Sequence, residues 1–295
     1  MKVFTRVALI GFGEVGQTLA ADLKRINFPE ITAYDPLFEV KESGPAKALT
    51  ARTVMAAPDA IAAVSNAELV ISCVTAAQDI EAAKSVAPGL PSGAYYLDVN
   101  SVSPAMKQAC ARVINEAGGN YVEAAVMSPI AGKRIASPML LGGAFAEDFL
   151  ERAKPIGFTG ATVYSPSIGQ ASATKMCRSV IIKGVEALLT ESLITARKNG
   201  VEEAVLESLD DLLPVGDWPA LARYMISRSL EHGTRRAEEL REAAGTVAEA
   251  GLEPLMSRAI AARQDWAAAH KDALKEKDLG DMLDVLVAAL ETPKP

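Results

Sequence analysis

Apolar and polar positions divide this chain into two parts with different patterns. Up to about residue 165, short apolar runs alternate with segments of helical spacing, whereas only helical spacing follows. Strand-like runs cover residues 7–10, 31–34, 69–74, 94–99, 121–126, 139–141 and 162–164, with a weaker one at 53–56. A continuous run such as LVISCV is typical of a parallel strand buried on both faces. The first part is therefore predicted to be an α/β domain with a mostly parallel, doubly wound sheet.

The second part is predicted to be all-helical. Its helical spacing is broken at Gly200, at residues 214–219 and at 251–254. The first helix is expected over residues 168–199, about 45 Å long at 1.5 Å per residue. The prediction is an N-terminal domain over 1–165 and an all-α domain over 166–295, joined through this long helix. Residues 38–50 are expected to form a loop.

A cluster of glycines follows the first strand-like run, in GFGEVG. Gly11 permits a sharp turn, Gly13 lets a pyrophosphate approach the backbone, and Gly16 lets the next helix pack on the strand. The N-terminus of that helix offers unpaired N–H groups to phosphates. The pattern predicts a dinucleotide site at Gly11, Phe12, Gly13, Glu14, Val15 and Gly16. A glycine turn without a ligand is the alternative.

Asp35 ends the second strand-like run, about nineteen residues after Gly16. A carboxylate at this place accepts hydrogen bonds from the adenosine ribose diol and repels a 2′-phosphate, so NAD is favoured over NADP as the cofactor. The alternative is that Asp35 merely starts a turn before Pro36. Val74 and Thr75 end another run, where α/β sheets bind ligands, and are further predicted cofactor contacts.

Two polar features are candidates for chemistry. Asn100 and Ser101, in DVNSVSP, can donate and accept hydrogen bonds at a strand end, and Ser103 is expected to cap a helix that starts at Pro104. Lys175 lies near the start of the long helix among apolar residues, with Ser179 one turn later. Burial against apolar surface would lower the pKa of Lys175 toward the range useful for proton transfer, whereas a solvated lysine is the alternative.

Composition excludes some classes of function. The formal net charge of −7 argues against a nucleic-acid surface. No apolar run is long enough to span a membrane, and the first run passes directly into the glycine turn, so we expect a cytoplasmic protein. The three cysteines lie far apart and are expected to be buried, and the two histidines have no ligand-spaced partners. No metal site is predicted.

Taken together, GFGEVG with Asp35, DVNSVSP, EAAVMSPIAG with LLGG, and GQASATK resemble the β-hydroxyacid dehydrogenase family, which includes 3-hydroxyisobutyrate and 6-phosphogluconate dehydrogenases. The resemblance covers roughly residues 5 to 200. It implies a Rossmann domain, an all-helical C-terminal domain, a homodimer, and a lysine as general acid/base, which falls on Lys175. It also places Asn100 and Ser101 near substrate and nicotinamide, and Ser179 where the family has an asparagine.

The chain departs from the family where a serine and two glycines hold the substrate carboxylate. Met127, Ser128 and Pro129 stand there instead, so the usual small 3-hydroxy-acid substrate is in doubt. An arginine from residues 221–245 is a candidate to supply the missing anion contact, with Arg223, Arg228 and His232 on one helix face. The alternative is one or two solvated helices with glutamate partners three or four residues away. This region resembles a poorly characterised branch of the family.

We therefore expect an NAD(P)-dependent oxidoreductase that moves hydride between the nicotinamide and an alcohol or carbonyl carbon of a small hydroxy-acid-like or bulkier substrate. Lys175, Ser101, Asn100 and Ser179 are the predicted catalytic residues. The predicted substrate contacts are Ser101, Met127, Ser128, Lys175, Arg223 and His232. An imine reductase and a non-catalytic dinucleotide-binding protein are the alternatives.

Overall fold

The computed structural model describes residues 3–50, 54–209 and 213–291, and its first part is built around one eight-stranded sheet. The strands are β1 (Arg6–Ile10), β2 (Glu30–Tyr34), β3 (Met55–Ala56), β4 (Leu69–Ser72), β5 (Tyr95–Asp98), β6 (Asn120–Val126), β7 (Met139–Gly142) and β8 (Ala161–Ser165). Each predicted run overlaps one of these strands, although Thr53, in the weak third run, lies outside the described residues.

The strand order is β3-β2-β1-β4-β5-β6-β7-β8, and only the β6–β7 pair is antiparallel. Ile10 at the end of β1 is paired with Ser72, and Ser72 with Asp98 at the end of β5. Because the carboxyl ends of parallel strands meet at one edge, the segments after β1, β4 and β5 come together there. This edge holds the candidate site.

Successive side chains of the central strands enter two separate hydrophobic cores. Leu69 and Ile71 of β4 face one core, and Val70 faces the other. Helices cover both cores, as expected for a doubly wound sheet. The helices of this part are α1 (Glu14–Arg25), α2 (Gly44–Thr50), α3 (Ala60–Val64), α4 (Asp79–Val86), α5 (Pro104–Glu116), α6 (Ile130–Lys133) and α7 (Ala146–Ala153).

Only helices are described beyond β8. They are α8 (Gln170–Lys198), α9 (Glu202–Ser208), α10 (Trp218–Glu249), α11 (Leu255–Ala268) and α12 (Leu279–Glu291). Two compact units divide between Lys175 and Met176, inside α8, whereas the sequence pattern changes at Ser165, where β8 ends. The core of the second unit includes Leu193, Ile226 and Leu283.

One sequence expectation changes, and another is narrowed from one or two helices to one. The predicted loop over residues 38–50 is wrong, because α2 forms within it, and Ser43 Oγ accepts a hydrogen bond from the Ala46 N–H at its start. The Arg-rich region is one continuous helix, α10. No helix within residues 3–50, 54–209 and 213–291 is long and apolar enough to cross a membrane.

Candidate functional site

In the glycine turn, the fold requires a glycine at two positions and leaves room for a side chain at the third. Gly11 has φ +94°, and a Cβ there would lie 2.5 Å from the Cys73 carbonyl oxygen. A Cβ on Gly16 would lie 2.4 Å from the Gly11 oxygen. A Cβ on Gly13 would meet nothing within 4 Å, although Gly13 directly precedes α1. The backbone of Gly13 therefore faces open space.

The N-terminus of α1 suits a phosphate group. No side chain caps this end of the helix, so its first N–H groups are available to an anion, which the helix dipole also attracts. Phe12 is buried and packs edge-on against Phe38, with 5.5 Å between ring centroids, which fixes the turn from below. The open face at Gly13 and the uncapped helix end together fit the pyrophosphate of a dinucleotide.

Asp35 ties the end of β2 to this turn. One carboxylate oxygen accepts the Phe12 N–H at 2.7 Å, and the other accepts the Leu37 N–H at 2.9 Å. Asp35 therefore does start a turn before Pro36, as the alternative reading expected. Each carboxylate oxygen can accept more than one hydrogen bond, so a role toward a ribose diol is compatible with these contacts.

Val74 and Thr75 follow β4 beside the glycine turn. A Cβ on Gly11 would lie 3.1 Å from a Val74 methyl group, so Val74 packs directly against the turn. Thr75 is exposed and precedes a short 3₁₀ turn without capping it. Both residues lie at the sheet edge where the sequence placed them, and their cofactor role stays a prediction.

Lys175 and Ser101 are brought together at the same edge. The Lys175 ammonium donates a hydrogen bond to Ser101 Oγ at 2.5 Å, and both residues are half-buried. Ser103 caps α5, because its Oγ accepts the Met106 N–H at 3.3 Å, as expected. The Ser103 cap fixes the chain that follows Ser101, and the second turn of α8 supplies Lys175.

Asn100 points into the interior. Its Nδ2 donates to Ser72 Oγ at 2.9 Å and to Asp79 Oδ1 at 2.7 Å, and Asn100 is only 5% exposed. Its Oδ1 is buried and has no hydrogen-bond partner. The side-chain NH₂ thus serves the fold, and a direct contact of Asn100 with substrate or cofactor stays a prediction.

A buried charge cluster, Asp79, Asp98 and Lys107, lies beneath Asn100. The Lys107 ammonium is 2.7 Å from Asp98 Oδ1, and the Tyr121 hydroxyl donates to Asp98 Oδ2 at 2.6 Å. Burial and repulsion from Asp98 raise the pKa of Asp79 to about 7, although Lys107 and Asn100 oppose this. Burial disfavours the charge of Lys107, but attraction to Asp98 and Asp79 outweighs it and raises the pKa of Lys107.

Three side chains here lie as close together as the ligands of a metal ion do: Asp79, Asp98 and Cys110. One ligand atom from each lies within 4.8 Å of the others, and all three residues are buried. The Lys107 ammonium already contacts Asp98 in this space, and burial raises the pKa of the Cys110 thiol, so the thiolate that would bind a metal is disfavoured. Cys110 is thus buried as expected, whereas Cys177 is exposed, contrary to expectation.

The segment after β6 presents one unused hydroxyl group. The Met127 N–H donates to the Pro138 carbonyl at 2.9 Å and is therefore occupied by the fold. Ser128 Oγ is buried without a hydrogen-bond partner, and Pro129 is exposed. Because a buried hydroxyl without a partner costs free energy, Ser128 is the group in this segment that fits a ligand contact. The side chain of Met127 adds only apolar surface.

The remaining predicted residues belong to the second unit. Ser179 is half-buried on α8, one turn after Lys175. Arg223 donates to the Glu276 carbonyl at 2.7 Å. His232 lies 3.2 Å from Glu231, and burial followed by repulsion from Arg228 lowers its pKa. Substrate roles for Arg223 and His232 stay predictions.

Two arginines of the Arg-rich helix pair with other helices, whereas a third has a glutamate partner on the same helix, as the alternative expected. Arg236 pairs with Glu186 of α8 at 2.6 Å, and Arg241 pairs with Asp265 of α11. Arg228 has the spacing that the alternative expected, with Glu231 three residues later at 3.2 Å. Arg236 and Arg241 therefore connect α10 to α8 and α11.

Sequence reasoning missed the buried carboxylate of Glu123 in β6. Its two oxygens accept the N–H groups of Gly169 at 2.7 Å and Ser172 at 2.6 Å. One signal was available, since a glutamate inside the otherwise apolar run YVEAAV is unusual for a buried strand. Asp79 and Lys107 gave no such signal, because both lie at positions that resemble ordinary solvent-facing helix residues.

Comparison with known proteins gives two family matches. Residues 6–164 match the NAD binding domain of 6-phosphogluconate dehydrogenase, and residues 196–267 match a domain of unknown function, DUF1932. The first match covers more than half of the chain. It contains the glycine turn, Asp35 and Ser101, and it ends before Lys175.

Solved structures share the whole architecture. A conserved hypothetical protein from Sinorhizobium meliloti is 37% identical, with a TM-score of 0.76 and coverage of 96% of both chains. A 3-hydroxyisobutyrate dehydrogenase from Mycobacterium tuberculosis is 19% identical, with a TM-score of 0.73 and coverage of 96% and 99%. An imine reductase from Streptomyces aurantiacus is 18% identical, with a TM-score of 0.56 and coverage of 95% and 99%. The last two show likeness of fold alone.

Proposed function

Because this chain belongs to the β-hydroxyacid dehydrogenase family, we propose that it is a Lys175-dependent oxidoreductase that uses NAD or NADP. The observation that carries the proposal is the contact between Lys175 Nζ and Ser101 Oγ at the sheet edge that also holds the open glycine turn. A proton donor and a hydroxyl group thus lie together where an α/β sheet binds its ligands. We propose that residues 1–165 bind the cofactor and that residues 166–295 bind substrate together with Ser101 and Ser128.

The dinucleotide would be held by the turn from Gly11 to Gly16, with its pyrophosphate at Gly13 and the N-terminus of α1. When bound, it supplies hydride exchange at C4 of the nicotinamide ring. Asp35 would accept the ribose hydroxyl groups, and its charge would disfavour a 2′-phosphate, so NAD is the proposed preference. Val74 and Thr75 would line the same pocket.

Lys175 would move the proton that accompanies hydride transfer. In alcohol oxidation, its neutral amine accepts the hydroxyl proton, and in carbonyl reduction its ammonium donates a proton to the carbonyl oxygen. Ser101 holds the lysine nitrogen through its Oγ and can donate its own hydrogen to the same substrate oxygen. Ser179, one helical turn after Lys175, would contact the substrate from the same helix.

Ser128, just after β6, is the proposed substrate contact in this segment, since its buried hydroxyl lacks a partner. Beside it, the Met127 side chain and Pro129 provide no hydrogen-bond donor, so this segment suits a substrate with an apolar or bulkier group next to its polar end. We propose a hydroxy-acid-like substrate of this kind, with Arg223 and His232 as candidate anion contacts.

A substrate screen with all four nicotinamide cofactors tests the proposal. Absorbance at the reduced nicotinamide band would follow oxidation of hydroxy acids with NAD or NADP, and reduction of aldehydes, ketones and imines with NADH or NADPH. Fluorescence titration would give the dissociation constants of NADH and NADPH. We expect alcohol or carbonyl turnover that Lys175→Ala abolishes, and tighter binding of NADH than of NADPH.

Two other outcomes would replace the proposal. Turnover confined to imines would make the chain an imine reductase, a class whose fold it shares. Cofactor binding without turnover of any compound class would indicate a dinucleotide-binding protein without catalysis. Homodimer formation is a further proposal, and sedimentation equilibrium of the full chain would test it by giving the mass of the assembly.

A further inference from the structure

Glu123 is a fully buried acidic residue in the middle of β6, and it contacts the start of α8. Its Oε2 accepts the Gly169 N–H at 2.7 Å, and its Oε1 accepts the Ser172 N–H at 2.6 Å. These two N–H groups lie at the N-terminus of α8, where four N–H groups lack partners within the helix. A negative charge at this end of a helix is favourable, and hydrogen bonds to a carboxylate are stronger than neutral ones.

The two glycines of LLGG leave room for this contact. A Cβ on Gly142 would lie 2.6 Å from Glu123 Oε2, so the carboxylate would have to shift from the place where it accepts the Gly169 N–H. A Cβ on Gly143, which has φ +111°, would lie 2.6 Å from the Ile168 side chain just before α8. The EAAV and LLGG segments therefore form one support for the beginning of α8.

Lys175 lies one helical turn after this first turn of α8. Ser172 precedes Lys175 by three residues, so the two share a helix face, and the Ser172 hydroxyl closes the turn by donating to the Gly169 carbonyl at 3.0 Å. Lys175 in turn donates to Ser101 at 2.5 Å. A displacement of this turn would thus move the lysine nitrogen relative to Ser101.

We propose that Glu123 is a positioning residue for Lys175: its carboxylate fixes the first turn of α8 and so holds the lysine nitrogen at Ser101. The proposal rests on the proposed function, in which Lys175 transfers the proton. Glu123 itself touches neither substrate nor cofactor in this scheme. Without its carboxylate, α8 keeps its apolar contacts but loses the bonds that set the position of its first turn.

Glu123→Gln is the main test variant. The side chain keeps its shape, but its NH₂ group faces one of the two N–H donors and the negative charge is lost. The first measurement needs no substrate. The lysines are methylated with formaldehyde and cyanoborohydride, and peptide mass spectrometry gives the methylation rate of Lys175 relative to that of Lys154, an exposed reference. We expect the Lys175 to Lys154 rate ratio to rise on the order of five-fold, because the hydrogen bond of Lys175 to Ser101 is weakened.

The second measurement is steady-state turnover of the best substrate from the screen. We expect kcat to fall roughly 10- to 100-fold, since a displacement of about 1 Å is enough for such a loss. The KM for NAD and the dissociation constant of NADH should stay within about two-fold of wild type, because the glycine turn lies outside this support. A fall in kcat without a change in cofactor KM or Kd distinguishes misplacement of Lys175 from a general loss of structure.

Phe149→Leu is the matched control for stability. Phe149 packs against Phe4, Tyr95 and Phe158 in the same unit, and its side chain has no polar atom. Its substitution therefore lowers the melting temperature without removing a hydrogen bond to α8. The proposal is overturned if Phe149→Leu raises the methylation ratio as much as Glu123→Gln does. It is also overturned if Glu123→Gln lowers only the melting temperature and leaves ratio and kcat unchanged.

Gly142→Ala provides a second variant if Glu123→Gln does not fold. The added methyl group would displace the Glu123 carboxylate from the Gly169 N–H while Glu123 remains in the chain, and the same rise in the methylation ratio is expected. An unchanged ratio in Gly142→Ala would contradict the proposal. If the wild-type protein turns over no compound, the proposed function fails, but the methylation ratio still decides the role of Glu123.

Discussion

The glycine turn and the Ser101–Lys175 pair lie at the same edge of one sheet, but their geometry has different origins. The turn is set by the backbone: Gly11 and Gly16 are required by contacts under 3 Å with neighbouring carbonyl oxygens. The pair is set by side chains that come from distant parts of the sequence, and Lys175 is held by a helix whose start rests on Glu123. The glycine turn is thus a local site, which a single substitution within the turn can alter. The Ser101–Lys175 pair is an assembled site, which also responds to substitutions far along the sequence.

The largest expected effect is on the assembled site. Lys175→Ala should lower kcat about 10²- to 10⁴-fold, because it removes the group that transfers the proton. The dissociation constant of NADH should change less than about two-fold, since the open face at Gly13 is unaffected. Steady-state kinetics and fluorescence titration check both. Lys198→Ala, on the same helix, is the control, and substantial turnover in Lys175→Ala would remove this lysine from the mechanism.

Within the glycine turn, Gly11→Ala and Gly13→Ala should separate folding from binding. Gly11→Ala combines positive φ with a 2.5 Å clash, so we expect a loss of several kcal/mol in the free energy of unfolding. Gly13 has φ −75°, and a Cβ there would meet nothing within 4 Å, so alanine should leave the free energy of unfolding within about 0.5 kcal/mol of wild type. The added methyl group would occupy the space proposed for the pyrophosphate, so NADH binding should weaken about ten-fold or more. Urea denaturation and fluorescence titration measure the two effects. Unchanged NADH binding in Gly13→Ala would argue against a pyrophosphate at this place.

Asp79, in the buried charge cluster with Asp98 and Lys107, makes the stability of the fold depend on pH. The pKa of Asp79 is about 7 in the folded chain, whereas its ordinary value is 3.8. Between these pH values the folded state therefore binds more protons than the unfolded state does. The free energy of unfolding contributed by Asp79 therefore falls as pH rises from about 4 to about 7, and the penalty is complete above that.

Asp79→Asn should remove this dependence. We expect the stability of the variant relative to wild type to rise with pH in that window, by at most about 1.4 kcal/mol per pH unit. Urea denaturation across the window measures the difference, and Asp148→Asn, an exposed position on α7, gives the background. A difference that stays constant with pH would show that Asp79 is ionised throughout.

The smallest expected effect concerns the choice of cofactor. Asp35→Asn removes the charge but keeps an acceptor for one of the two N–H groups that Asp35 now holds. We expect the ratio of kcat/KM for NADP over NAD to rise roughly ten-fold, because repulsion of the 2′-phosphate is removed. Parallel assays with both cofactors measure this ratio. Equal ratios in wild type and variant would place the ribose away from Asp35.

Most of the fold follows from local patterns. The apolar runs predicted the strands, and the long helical spacing predicted α8, because buried strands and long helices have periodicities that few other structures share. The loop over residues 38–50 was mispredicted, because Gly44 and Pro45 resemble a turn while the cap by Ser43 is a weak signal. The strand, turn and helix around Gly11 to Gly16 were predicted correctly, because the turn is made within six consecutive residues.

The parts of the site that were missed depend on tertiary packing. Asp79, Asp98 and Lys107 belong to a helix, a strand and another helix, and only the fold brings their charges within contact. Likewise, the partners of Arg236 and Arg241 lie on other helices, so spacing within α10 could not reveal them. Motif resemblance located Lys175 and Ser101, but it gave no reason for their contact.

The close approach of Gly142 to Glu123 also constrains how this sequence can evolve. Any side chain at position 142 would occupy the place of the Glu123 carboxylate, 2.6 Å from where a Cβ would lie. A substitution there is tolerable only with a shorter or reoriented acceptor at position 123, and the reverse change would open a void beside β7. The two positions are thus expected to covary among homologues, and a double substitution should be milder than the sum of the single ones.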